Sequence, residues 1–315
     1  MKLKIKKFDC SKLTQYATVM CIGKRGTGKT TLIRDIMSHM AERVDFGIAM
    51  CGTEETARDM GEFIPPSCIY NEYSAEALDV LLKHQKKTVM GGAYKKTYLI
   101  MDDTLYDKAI LKSKNMRMLF MNGRHRKIFY LCAVQYLMDI PPDLRANVDF
   151  VFALKENIIA NREKLWKNFF GMFHDYKDFS MVMNSCTAGY DCMVLDNTVR
   201  SNSITDCVFW YRADRNIDTF HVGSPGIWKL HDLFYKKPGS KEEGDKYEQE
   251  QDEDVMDDDD ESVLGVADQM AAAKQSQKTP RHVTMEELVK NPKNIHVVEK
   301  REANGAIILL EELRA

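Results

Sequence analysis

The stretch Gly23-Lys24-Arg25-Gly26-Thr27-Gly28-Lys29-Thr30 fits G-x-x-x-x-G-K-[ST] at every fixed position. Its glycines let the backbone curl until several N–H groups converge on phosphate oxygens. A helix beginning there adds the positive end of its dipole. Lys29 supplies a point charge for the β- and γ-phosphates of ATP, and the Thr30 hydroxyl can ligate Mg2+. Gly23 through Thr31 is therefore the expected nucleotide-binding stretch.

A second constellation is Tyr98-Leu99-Ile100-Met101-Asp102-Asp103, an apolar run ending in two acids. In an open α/β sheet ligands bind beyond the carboxyl ends of the strands. Asp102 is thus placed to hold Mg2+, through water, and Asp103 to orient or deprotonate an attacking water. A third apolar run, residues 128–134, ends at Gln135. P-loop enzymes that hydrolyse with a second acid insert an extra strand between the P-loop strand and the acidic strand. Gln135 suits the polar tip of that strand, which senses the γ-phosphate.

These side chains need strands to carry them and helices to cover the strands. Residues 17–22 read as a short buried strand before the glycine turn. Residues 29–40 place Leu32, Ile33, Ile36, Met37 and Met40 at helical spacing. Buried strands are expected at 46–51, 98–101, 128–134 and 148–154, with later ones at 191–195 and 207–211. Helices are expected at 75–87, 157–170 and 175–186. Residues 1–8 alternate apolar and basic types, a strand-like pattern. Strands alternating with helices imply an α/β fold with a mostly parallel central sheet flanked by helices. The ATPase domain is expected over 1–238, with its nucleotide core at 17–155 and an extension at 156–238.

Residues 239–261 hold thirteen acids against two bases, too charged to bury a core, so 239–305 reads as an acidic, disordered linker. Residues 306–315 read as a short final helix. Residues 1–238 carry a net charge of +8, which is compatible with a polyanionic partner. None of the eight cysteines stands in C-x-x-C spacing, and several lie inside apolar runs. They read as reduced, buried thiols, and no zinc site is expected from their spacing. No segment resembles a cleavable signal peptide or a membrane span, so the protein is expected not to be secreted.

Beyond the P-loop and Met101-Asp-Asp103, more selective stretches follow. They are Asn122-Gly-Arg-His125, Gln135-Tyr136, Ile140-Pro-Pro-Asp-Leu-Arg145, Glu156-Asn-Ile-Ile-Ala-Asn-Arg162, Gly171-Met-Phe173 and Asp206-Cys-Val-Phe-Trp-Tyr211. Over residues 17–213 the chain resembles the genome-packaging ATPases of large nucleocytoplasmic DNA viruses, the poxvirus-type members of the FtsK–HerA superfamily. That resemblance implies a RecA-like, additional-strand P-loop fold and a homo-oligomeric ring. It implies a motor that hydrolyses ATP to drive double-stranded DNA into a preformed capsid. Partners among capsid or portal-type virion proteins, in the virion or the host cytoplasm, follow with it. The resemblance also implies an arginine finger before the sensor strand, where Arg124 stands, reaching a neighbour's γ-phosphate. Arg145 and Arg162 sit in matching segments without an assigned role. Asp103 is one methylene shorter than the Glu that many related hydrolases carry.

Two other functions fit a P-loop. A small-molecule kinase usually needs an arginine-rich lid, and no clear lid is seen. A scaffold could use ATP binding for assembly with capsid protein and not translocate. A GTPase is disfavoured, because N-K-x-D is missing. Lys112, Lys114 and Arg117 follow the acidic strand and fit either a DNA-facing or a solvated helix face.

Overall fold

The computed structural model describes residues 4–92, 94–135, 140–201 and 203–235. The expected acidic linker at 239–305 and final helix at 306–315 lie outside the described residues. The strands are β1 Lys6–Lys7, β2 Thr18–Ile22, β3 Phe46–Cys51, β4 Ile69–Tyr70, β5 Thr97–Asp102, β6 Ile128–Val134, β7 Phe150–Ala153, β8 Cys192–Asp196 and β9 Val208–Tyr211. They form a nine-stranded sheet in the order β1-β9-β8-β7-β2-β6-β5-β3-β4. The helices are α1 Lys29–Met40, α2 Glu54–Met60, α3 Ala75–Met90, α4 Lys108–Lys112 and α5 Lys114–Asn122. After them come α6 Pro142–Arg145, α7 Ile159–Phe169, α8 Tyr176–Cys186, α9 Ile204–Cys207 and α10 Pro225–Phe234.

Apolar side chains on both faces of the strands require covering layers on both sides. Successive residues divide accordingly. Val19 and Cys21 of β2 pack with Leu32, Ile33, Ile36, Met37 and Met40 of α1. Met20 and Ile22 pack into the opposite layer, which also holds Leu78 of α3, Leu119 of α5, Phe169 of α7 and Phe179 of α8. The P-loop helix is thus seated by five buried side chains, at about 1.5–3 kcal/mol each of transfer free energy.

Every neighbouring strand pair is parallel except those of β8, which runs antiparallel to β7 and β9. The reason lies in the connection. Two helices, α7 and α8, join β7 to β8, and a pair of helices returns the chain to the sheet edge it left. A single crossover helix would have produced a parallel strand. β6 lies between the P-loop strand β2 and the acidic strand β5, as the additional-strand class requires. Helix α3 runs three residues beyond the expected Lys87, because Lys83, Lys86 and Lys87 occupy its solvent face and Gly91 caps it by donating to Lys87 O. All eight cysteines are buried and free. No helix among the described residues is long and apolar enough to cross a membrane.

Candidate active site

β2 delivers the chain to the glycine turn, and α1 carries it away. Gly28 has φ of +97°, in the left-handed region where glycine escapes the Cβ clash. A Cβ at Gly23 would lie 2.6 Å from Thr27 Oγ1 and 2.9 Å from Leu154 Cβ, so the turn closes only around a glycine. The Thr27 hydroxyl donates to Lys24 O at 2.7 Å and holds the curl. Gly28 caps α1 without a side-chain hydrogen bond, so the first N–H groups of α1 have no partner of their own and form an anion site.

Lys29 is 7% exposed. Its Nζ donates to Gly23 O at 3.0 Å and to Lys24 O at 3.4 Å, and stands 3.6 Å from Asp103 Oδ2. The ammonium is therefore held over the loop's own carbonyls, next to where phosphates would sit. Lys24 Nζ meets Glu156 Oε1 at 2.7 Å. Arg25 and Gly26 are exposed at the loop's tip, while Thr30 and Thr31 open α1 half-buried.

Asp102 ends β5 and is 3% exposed, with Oδ1 buried and without a hydrogen bond. Burial pushes its carboxyl up to about 7; the Asp103 charge adds to the rise and Lys29 opposes it. A buried carboxylate oxygen without a partner and the helix-opening hydroxyl of Thr30 are hard-oxygen donors of the kind that Mg2+ takes. Asp103 follows at φ +52°, a left-handed conformation costing a non-glycine residue about 1 kcal/mol or more. Its N–H still donates to Ala133 O of β6 at 3.1 Å, so the ladder fixes the turn. Gln135 Nε2 donates to Asp103 Oδ2 at 2.7 Å. The carboxylate only accepts, which sets the amide's orientation. Asp103 Oδ1 is buried and has no partner.

The structure therefore brings Lys29, Asp102, Asp103 and Gln135 together at the carboxyl edge of β2, β6 and β5. It does not bring Arg124 there. β2 and β6 are parallel and in register, so the turn before β6 lies at the amino edge. Seven residues of β6 separate that turn from Gln135, about 20 Å of strand. Within its own chain the Arg124 guanidinium bonds Asp149 Oδ1, while Thr18 N–H donates to Asp149 Oδ2 at 2.9 Å. Burial pushes the Asp149 carboxyl up, against the pull of those two donors. Arg145 donates to Ile140 O, and Arg162 ties α7 to Ser180 O and Asn184 of α8, so both hold local structure. Arg117 pairs with Asp143 at 2.6 Å, whereas Lys112 and Lys114 are exposed.

Glu156 joins the site, although its position in sequence does not mark it as a site residue. It is 9% exposed, just beyond β7, and takes the P-loop's Lys24 along with the Ile158 N–H and the Asn161 amide. Burial would raise its carboxyl, but those three donors outweigh it and hold the group below its ordinary value. A lone acid after an apolar run was the available signal. Further along α1, Asp35 and His39 meet Cys10 from the segment before β2, and the three place donor atoms within 4.8 Å of one another, a cluster that spacing alone hides. Asp35 already accepts from the Tyr211 hydroxyl at 2.6 Å, and burial pushes the Cys10 thiol up to about 12, leaving it protonated.

Residues 5–217 match the family described as Poxvirus A32 protein. The chain is 35% identical over 208 residues to uncharacterized protein 088R of Invertebrate iridescent virus 3, covering 65% of this chain and 80% of that protein. It is 32% identical over 245 residues to uncharacterized protein L437 of Acanthamoeba polyphaga mimivirus, covering 74% and 85%. A solved structure of the genome packaging NTPase B204 from Sulfolobus turreted icosahedral virus 2, in complex with AMP, is similar with a TM-score of 0.48 and 12% identity, over 64% of this chain and 100% of that one. The matched span contains the P-loop, both acids and β6, and the chain belongs to the Poxvirus A32 protein family as a P-loop ATPase.

Proposed function

We propose that this ATPase is a motor that moves double-stranded viral DNA into a preformed capsid, working as a homo-oligomeric ring in the virion or the host cytoplasm. The observation that carries the reading is the Gln135–Asp103–Lys29 constellation. Asp103 holds one oxygen on the Gln135 amide and keeps the other buried and unpaired, an acceptor left free for the proton of an attacking water. The basic balance of residues 1–238 suits a polyanionic track.

In this reading Lys29 leaves the loop carbonyls for the β- and γ-phosphates. Thr30 and Asp102 would hold Mg2+, which when bound offsets phosphate charge. Asp103 accepts the proton of the attacking water, and Gln135 orients that water against the γ-phosphate. Arg124, at the far edge of its own sheet, serves the nucleotide of a neighbouring subunit. Leaving Asp149, its guanidinium would meet phosphate oxygens through a planar fork that stays charged.

The test is ATP-driven displacement of a third strand from a linear duplex. The wild type should displace it, and Asp103→Asn should not. ATP binding by the wild type without displacement would leave an assembly scaffold. Phosphoryl transfer to a metabolite, indifferent to DNA, would leave a kinase.

A further inference from the structure

The catalytic acids fix which way a bound nucleotide must point. Asp102, Asp103 and Gln135 all stand on the β6–β5 side of the P-loop strand. The γ-phosphate belongs on that side, so the sugar and base must leave toward β7 and β8. There a small pocket opens at the start of α1, lined by Gly28, Thr31, Leu154, Tyr190, Ala213 and Arg215 among others.

Its walls come from three places brought to one edge by the antiparallel β8. Leu154 follows the end of β7, and Tyr190 precedes the start of β8. Ala213 and Arg215 follow the end of β9. Tyr190 is 57% exposed, so part of its ring is open to a ligand. That ring lies 3.6 Å from the position a Gly28 Cβ would take, against the last glycine of the P-loop. The Arg215 guanidinium lies over the Tyr190 ring, 4.2 Å from its centroid. Arg215 is itself exposed, on an irregular stretch after β9, and so is able to lift away.

We propose that the pocket is the nucleobase subsite: a purine base stacks on Tyr190, and Arg215 swings off the ring to cover the base's outer face. The inference rests on the nucleotide site described above. Aromatic and guanidinium planes both bind a base through its π-face, and Leu154 supplies an apolar wall beside it. Thr31, in the first turn of α1, lines the same pocket and joins it to the P-loop.

The test compares two probes, ATP and inorganic triphosphate, which carries the phosphates without the base. Affinities are measured by calorimetry with Mg2+, which needs no turnover. Tyr190→Ala should weaken ATP binding by roughly tenfold or more and leave triphosphate binding unchanged. Tyr190→Phe, which keeps the ring face, should restore ATP binding, and Arg215→Ala should weaken ATP alone by a few-fold. Equal ATP affinity in Tyr190→Ala and wild type would overturn the subsite. So would an equal loss for both probes, since the ring would then be shaping the P-loop and not reading the base. A wild-type chain that binds neither probe would overturn the nucleotide site itself, and the subsite with it.

Discussion

Asp102 gives a stability prediction with a definite sign. The side chain is 3% exposed and one oxygen has no partner. Burial, then the Asp103 charge, raise its carboxyl from the ordinary aspartate value of 3.8 to about 7, with Lys29 pulling the other way. A carboxyl raised on folding is harmless while protonated. Its contribution to stability is intact below 3.8 and is lost as pH climbs to about 7. That span corresponds to about 4 kcal/mol, at about 1.4 kcal/mol per pH decade. Asp102→Asn keeps the shape and never ionises. Without nucleotide or Mg2+, the variant should be more stable than the wild type at pH 8 by up to about 4 kcal/mol, with the gap closing toward pH 4. Urea unfolding followed by tryptophan fluorescence at several pH values between 4 and 8 reads this directly. If wild type and variant share one pH dependence, or the variant is the weaker at pH 8, the buried-carboxylate argument is wrong.

Further variants separate the roles at the site. Lys29→Ala removes the side-chain cation buried in the phosphate cradle, so turnover should vanish while circular dichroism stays that of the wild type. Asp103→Asn should bind MgATP and hydrolyse it slowly, because an amide accepts no proton; near-wild-type turnover would move water activation elsewhere. Arg124→Ala should bind ATP with turnover reduced about 10³-fold. Mixed with Lys29→Ala it should regain activity as intact P-loops meet intact arginines. Absence of rescue would assign Arg124 to the Asp149 contact alone.

Much of this site was legible because its chemistry is local in sequence. The P-loop is one continuous string, and Asp102 and Asp103 end an apolar run that hardly fits anything but a buried strand. Even the placement of β6 followed from Asp103, since hydrolysis with a second acid goes with the extra strand. What escaped depends on contacts between distant segments. Asp149 as the partner of Arg124, and Glu156 as the partner of Lys24, become visible only when β7 lies beside β2. The reversal of β8 depends on the pairing of α7 with α8, which leaves no mark in a strand's own residues. It is that reversal which brings Tyr190 to the P-loop. A short helix such as α2 leaves little mark in the sequence, although Thr53 caps it and Glu54 and Glu55 fill its first turn, because seven residues carry too little periodicity.

In the proposed motor, hydrolysis at this site drives DNA. That coupling is tested most directly by measuring ATP turnover of the full chain with and without double-stranded DNA, over a salt series. DNA should raise turnover, added salt should erode the effect as phosphate contacts are screened, and Asp103→Asn should show no rise at all. Turnover that is the same with and without DNA at every salt concentration would contradict the coupling.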